Sequence, residues 1–562
     1  MDKEKEKQKE KVVVVVGAGW AGLYAIRWLK EEGFTVIAFE RAEDLGGIWR
    51  KIIQINPECE ASSSKTYLHA SSMEFQSHED FPSAGEIVHH LETYASKHEL
   101  ISCIRFGHRV ESFSFNAEDE KWIVTATAAT SSGAAREGRE EPSQMTVQAD
   151  YLVLARGLCG VPKLPAALHE EFSERCGVEC MHSFSYMKTK ALPTVWTEPC
   201  GDASVLVVGG GESATDVASE LITRGVRRVV LSLRKGRWFL PRMKLPSGHV
   251  PGDAASRRTF FFMRFSWFQR LLDCYVEQFI SIGGHGQRAW MPSKSISSWS
   301  CFLNKRTEDV KRLVREGHIQ AAGRIMNIVP DEQRGYALVT CENVEKPIRV
   351  CGVVFATGFK ACNEEGGVLD PPSRSFLHVF PTTTPGCYGR VAHVGAVRPN
   401  VGSIPSLAEV GAIFASRVFS GRCRLPSIAV AQSHIRYEEK LRMASFPEDG
   451  AQITTLVHST IWLDKVLSYL GFWIPLLGLP PLNLLSMYGL REGINAWQTL
   501  FNSVWSPLEL DVLLNPDTSG RATLERIRFM HHQRKEKMMS SPMFLTQLLS
   551  FALQCLRSYF LL

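Results

Sequence analysis

Apolar and polar positions alternate between two arrangements along most of this chain. After the charged tail MDKEKEKQKEK come five consecutive valines, Val12–Val16. A continuous β-branched run predicts a strand buried on both faces, as inside a parallel sheet. Leu23, Ile26 and Leu29 then recur at helical spacing, Gly33 is placed to cap the helix, and FTVIAFE reads as a second strand. The order repeats further on, with a strand through Val208, a helix carrying Val217, Leu221 and Ile222, a cap at Gly225 and a strand Val229–Leu233. Such strand–helix–strand order predicts an α/β fold with two Rossmann-like units. Between them, SAGEIVHHLETYASKHEL begins with Ser83 and Glu86 at capping-box spacing and carries Ile87, Leu91 and Tyr94 on one face. Its adjacent His89 and His90 point to different faces and read as surface or packing residues.

The links between strand and helix add chemistry. The first is GAGWAG: Gly17, Ala18, Gly19, Trp20, Ala21 and Gly22, with glycines at GxGxxG spacing. Glycines there permit a tight turn and close approach of a pyrophosphate to a helix N-terminus. The strand that follows ends in Glu40, beside Arg41, where a carboxylate about twenty residues on can hold ribose hydroxyls. The second link carries Gly209, Gly211, Glu212, Ser213 and Ala214, and its strand closes on Arg234 and Lys235, with Arg237 nearby. A guanidinium there is either a solvated surface cation or a bidentate partner for a 2′-phosphate, and the clustering of three cations favours the phosphate. The first site therefore suits FAD or NAD and the second NADPH, so electrons pass between two cofactors. EDLGGIWR favours FAD at the first site, its Gly46 and Gly47, followed by Ile48 and Trp49, letting backbone approach a ligand. VCGVVFATGF, ending in Ala356, Thr357, Gly358 and Phe359, reads as a buried strand returning late to the first unit. That implies an NADPH domain inserted within a discontinuous FAD domain.

Composition narrows the classes. A chain of 562 residues, 44% hydrophobic and 22% charged, holds two or three ordinary globular domains. A net charge of +5 without a basic, aromatic-interleaved stripe argues against nucleic acid as a partner. Fourteen cysteines without a CxxC argue against a disulfide reductase, and Cys176, Cys180 and His182 lack a fourth metal ligand, so no metal is expected. The charged N-terminus has no apolar core of a secretory signal.

GAGWAG with GGIW, the second loop followed by LRKGRW, and the late FATGF together resemble the flavin-containing monooxygenases, from about Lys11 to near the C-terminus. HSFSY, His182 to Tyr186, is similar to the second half of the family signature FxGxxxHxxx(Y/F); Baeyer–Villiger monooxygenases end it in Trp. GAVRPNVGSIPSLAEVGA (395–412) resembles a late segment near the flavin, and REGINAWQTLFNSVW a C-terminal one. Three departures stand out. Cys176 and Val178 replace the signature's Phe and Gly, Ala155-Arg156-Gly157 replaces an ATG, and in KTYLHASS Ala70 replaces an Asn linked to the oxygenated flavin.

The resemblance implies hydride transfer from NADPH to FAD, reaction of reduced flavin with O2, and a C4a-hydroperoxyflavin that oxygenates a soft nucleophile, an amine or a sulfide. His182 and Tyr186 are implied as structural linkers near NADP. Ala70 and Arg156 keep open an NADPH oxidase or flavin reductase that releases hydrogen peroxide. A noncatalytic nucleotide sensor is the remaining alternative.

Two late segments bear on location. LSYLGFWIPLLGLPPLNLLSMYGL (467–490) lacks charge, but Pro475, Pro480 and Pro481 break a single helix. The last twenty residues match the roughly 20 needed to span a bilayer. Their polar stripe, Gln547, Ser550, Gln554, Arg557 and Ser558, instead predicts a helix lying in the membrane interface, preceded by the cationic HHQRKEK. Family members carry a hydrophobic anchor on the endoplasmic reticulum, which implies the same location here. RRTFFFMRFSWFQRLLDCYVEQF (257–279) reads as core, tunnel cover or lipid contact. The expected organisation is a tail (1–10), a FAD domain in two parts (11–170 and 336–430), an NADPH domain (171–335), a helical region (431–542) and a membrane helix (543–562).

Overall fold

In the computed structural model the valine run forms β1 (Val12–Val16), paired in parallel on both sides. The structure describes residues 11–55, 59–128, 143–234, 238–241, 253, 290, 301–304, 307–360, 369–384, 386–400, 402–445 and 454–472. In chain order after β1 come α1 (Trp20–Glu31), β2 (Thr35–Phe39), α2 (Ala84–Lys97), β3 (Tyr151–Leu154), β4 (Ser204–Val208), α3 (Glu212–Thr223), β5 (Val229–Ser232), β6 (Ile348–Phe355), β7 (Val391–His393) and α4 (Ile404–Phe419). The described residues fall into two compact units. The first takes in the described residues within 11–160, 369–442 and 454–472, the second those within 161–360 and 443–445.

The first unit is built on a five-stranded parallel sheet in the order β7, β3, β1, β2 and Ile104–Arg105. Val13, Val14 and Val15 are fully buried, as strands covered on both faces must be. Val14, Val16, Leu152 and Leu154 pack against Trp122, Val124 and Ala126 of an antiparallel three-stranded sheet. α2 opens with the expected capping box: Ser83 Oγ accepts from the Glu86 amide and Glu86 Oε2 accepts from the Ser83 amide. As the two faces require, His90 is buried and stacked on Phe75 at 4.4 Å, while His89 is exposed.

The second unit repeats the plan. β4 pairs in parallel with β5 on one side and β6 on the other. Here one expectation is corrected: β6, the strand that ends at FATGF, belongs to the second unit and not to the FAD domain. Its partners are β4, Glu179–His182 and Ala337–Cys341, so residues from 336 to 360 do not return to the first sheet. The first unit receives β7 instead, paired with β3 from Val391↔Leu152 to His393↔Leu154. Gly352 shows how closely β6 is packed, because a Cβ there would lie 2.1 Å from Trp196 Nε1. The tail 1–10, the aromatic stretch 257–279, and residues 473–562 lie outside the described residues. Among the described residues no helix is long and apolar enough to cross a membrane.

Candidate functional site: two glycine-loop cradles

Each unit ends its first strand in the same backbone arrangement. The Gly17 amide donates to Phe39 O at 2.8 Å and the Gly209 amide to Ser232 O at 3.0 Å. The Ala155 amide donates to Val16 O and the Ala356 amide to Val208 O, each at 2.9 Å. Ala155-Arg156-Gly157 and Ala356-Thr357-Gly358 are thus counterparts, one triplet per unit, and Gly157 and Gly358 both have left-handed φ, +73° and +79°. A Cβ on Gly17 would stand 2.6 Å from Ala155 O and one on Gly209 2.3 Å from Ala356 O. A Cβ on Gly22 would stand 1.9 Å from Gly17 O. The loops are shaped as only glycine allows. α1 and α3 start directly after Gly19 and Gly211, and neither N-cap supplies a side-chain acceptor. A glycine loop leading directly into a helix N-terminus is the arrangement that binds a pyrophosphate.

The register also sets the two strand ends against each other, with a correction. Phe39 and Ser232 are counterparts, so the residue matching Glu40 is Leu233, and Arg234 matches Arg41. Glu40 is buried, its Oε2 accepting from the Ala18 amide at 2.7 Å and its Oε1 from the Ala42 amide at 3.0 Å. The carboxylate thus ties the glycine loop to the turn after β2, and its remaining lone pairs suit ribose hydroxyls. In the second unit this polar tie becomes apolar packing. Leu233 is buried against Gly210, where a Cβ would meet its Cγ at 3.1 Å. With no carboxylate there to repel a 2′-phosphate, the exposed Arg234 follows one residue later. Lys235 and Arg237 lie outside the described residues.

Gly46 and Gly47 join the first loop: the Gly46 amide donates to Ala18 O at 3.1 Å, and a Cβ on Gly47 would lie 3.1 Å from Gly19 Cα. Ile48 and Trp49 open the following helix, Ile48–Ile55, half-buried. The late segment arrives here as well, since a Cβ on Gly395 would lie 2.4 Å from Ala21 Cβ. Trp20 is buried and donates its indole N–H to the Tyr24 hydroxyl at 2.8 Å. In the second loop Ala214 is fully buried, Glu212 half-buried and Ser213 exposed.

His182 has both ring nitrogens engaged. Nδ1 accepts from the Phe184 amide at 3.1 Å, which leaves the proton on Nε2 to donate to Gly358 O at 2.9 Å. Burial pushes its pKa below the usual histidine range, partly countered by the Gly358 carbonyl. Its ring meets Phe359 edge-on at 5.3 Å. These contacts tie the end of Glu179–His182 to the FATGF turn. Tyr186 is fully buried beneath the Arg224 guanidinium, 5.3 Å from the ring, with its pKa pushed up to about 12 by burial. Among the described residues no cluster of His, Cys, Asp or Glu is arranged to hold a metal.

Ala70 is fully buried in a tight bridge, with amides and carbonyls exchanged with Met73 at 2.9 and 3.2 Å. Its neighbour Ser71 joins a buried network that the sequence reading missed. Glu409 of α4, 0% exposed, accepts from Ser71 N and Oγ at 2.9 and 2.6 Å and from Trp28 Nε1 and Arg27 Nη1 at 3.3 Å each. Arg27 also donates to Ser71 Oγ at 3.1 Å and to the Tyr94 hydroxyl at 3.3 Å. Burial pushes the Glu409 carboxyl up, opposed by Arg27 and Ser71. Arg27 Nε also pairs with Glu31 at 2.7 Å, so it is loss of Arg27 that would strand a buried charge, on Glu409, typically at a cost of about 3–5 kcal/mol.

Two glycine-loop cradles, one tied by a buried carboxylate and the other followed by an arginine, make this a protein of two dinucleotides. The chain belongs to the FMO-like family, flavin-binding monooxygenase-like, whose description matches residues 10–477. It is accordingly a flavoprotein oxidoreductase of the monooxygenase class that uses FAD and NADPH. It is similar to "Dimethylaniline monooxygenase [N-oxide-forming] 2" of Cavia porcellus, 26% identical over 81% of this chain and 82% of the relative. It is also similar to "Flavin-containing monooxygenase 1" of Sus scrofa, 27% identical over 75% and 77%. In fold it is like the S-allyl-L-cysteine S-oxygenase of Allium sativum (TM-score 0.53, 15% identity, 93% of this chain and 99% of that one). An open structure of cyclohexanone monooxygenase is alike too (TM-score 0.52, 16% identity, 82% and 98%).

Proposed function

We propose that this protein oxygenates the nitrogen of an amine or the sulfur of a sulfide, with FAD in the first cradle and NADPH in the second. The carrying observation is the difference at equivalent positions: Glu40 bound to its loop in one unit, Leu233 followed by Arg234 in the other. One atom of O2 goes to the substrate's lone pair and the other leaves as water, with NADPH and a proton as the source of the reducing equivalents. Reduced flavin supplies the oxygen-activating chemistry when bound. The chain's own part is to bind, orient and exclude water. Gly17, Gly19, Gly22, Gly46 and Gly47 would shape the flavin cradle, with the start of α1 toward its pyrophosphate. Gly209, Gly211 and the start of α3 do the same for NADPH, with Arg234, and on the sequence Lys235, reading the 2′-phosphate. Ala356–Phe359, held by His182, line the approach to that cradle, and Gly157 is their counterpart in the first.

Ala70 supports a second reading, NADPH oxidation with release of hydrogen peroxide, because a buried methyl offers no hydrogen bond where the family's Asn would. Stopped-flow spectra separate the two. The NADPH-reduced holoenzyme is mixed with O2, with and without N,N-dimethylaniline or thioanisole. Oxygenation is expected to give a persistent spectrum unlike reduced or oxidised flavin, and less peroxide when a substrate is present. Direct reoxidation with one peroxide per NADPH under every condition supports the oxidase.

Membrane attachment through residues 543–562 is proposed from the polar stripe and preceding cations, and its place at the endoplasmic reticulum from the family resemblance. Ending the chain at residue 542 is expected to move the protein from the membrane pellet to the supernatant without loss of flavin. Equal pelleting of both chains argues against attachment by this segment.

A further inference from the structure

Residues 63–71 run beside the N-terminal half of α4 and are fastened to it at three heights. Ser63 Oγ donates to Gly402 O at 2.8 Å. The Ser403 and Ser406 hydroxyls both donate to Tyr67 O, at 2.6 Å each. Ser71 then donates twice to Glu409. Positions 403, 406 and 409 recur every three residues, so one helical face holds the whole segment. The last fastening differs from the others because it is ionic and continues into α1 through Arg27.

From Arg27 the contacts reach the glycine loop. Arg27 meets the Tyr94 hydroxyl, Tyr94 packs edge-on against Tyr24 at 5.2 Å, and Tyr24 accepts from Trp20, the first residue of α1 after Gly19. The Ala70 loop and the flavin cradle are therefore the two ends of one buried chain of contacts within the first unit. A methyl group cannot hold the loop by hydrogen bonds, so its position depends on the neighbours.

We propose that Glu409 is a positioning residue: acting through Ser71, with Arg27 as its counter-charge, it holds the Ala70 loop in place relative to the flavin cradle. The consequence for oxygen chemistry rests on the monooxygenase reading above. A loosened loop admits water, so more O2 takes up two electrons and two protons and leaves as hydrogen peroxide, while the flavin returns to its oxidised state.

The test is hydrogen–deuterium exchange of the purified full-length holoenzyme, comparing wild type with Glu409→Gln and Ser71→Ala. Both variants are expected to exchange peptides covering residues 66–75 about tenfold or more faster with bound FAD retained, and Ser71→Ala is expected to leave α1 peptides close to wild type. Ser71→Ala keeps the charged pair intact and so covers the case in which Glu409→Gln does not fold. Wild-type exchange in 66–75, or an equal rise throughout the first unit, overturns the proposal. Peroxide formed per NADPH, with N,N-dimethylaniline present, is measured on the same samples. Faster loop exchange with an enzyme that makes only peroxide even as wild type retains the positioning role and removes the oxygenase reading.

Discussion

Gly17→Ala is expected to yield protein without bound flavin. The added methyl would stand 2.6 Å from Ala155 O, a backbone atom of β3's end that cannot swing aside. The residue would also hold φ near +103°, which costs an alanine on the order of 1–3 kcal/mol before any clash is counted. Relief requires the loop to move away from β3, and the loop is the surface on which the pyrophosphate rests. Flavin per protein, read from visible absorbance after FAD supplementation and gel filtration, should fall about tenfold or more. A yellow variant with wild-type stoichiometry would show that the cradle tolerates what its geometry forbids.

The matching substitution in the other unit should separate the cofactors. Gly209→Ala brings a methyl within 2.3 Å of Ala356 O, at φ +141°. This variant is expected to purify yellow, because the first unit's loop, Glu40 and Gly46–Gly47 are untouched. Flavin reduction by NADPH should slow on the order of a hundredfold, equivalent to about 2.7 kcal/mol of lost binding or alignment. Chemical reduction by dithionite should be unaffected. Anaerobic reduction traces give both rates. Loss of flavin from this variant, or normal reduction by NADPH, would contradict the division of labour between the loops.

Much of this arrangement was legible in the residues because it is local. A valine run, a glycine loop and a helix with Leu23, Ile26 and Leu29 inside it form one contiguous unit, and Ser83 with Glu86 is a cap read over four residues. What escaped was long-range. β6 carries the same apolar signal as any buried strand, and nothing in it says which sheet it joins; the pairing Val207↔Val354 decides that. The offset between Glu40 and Arg234 was likewise hidden, since only the bonds Gly17–Phe39 and Gly209–Ser232 set the two loops in register. Arg27 and Glu409 stand 382 positions apart. The signal available was a lone acid in the apolar run SLAEVGAIF, which a buried helix tolerates only with a partner.

Preference for NADPH is expected to rest on Arg234, through contact with a 2′-phosphate in the second cradle. Steady-state oxidation of NADPH and NADH by wild type and Arg234→Ala tests it most directly. If Arg234 makes a charge-assisted bidentate contact, its loss removes about 1.5–3 kcal/mol from NADPH binding, raising KM for NADPH roughly tenfold to 150-fold. The KM for NADH should hardly change, so the preference between coenzymes collapses. An undiminished preference for NADPH in the variant, or none in the wild type, would contradict the account.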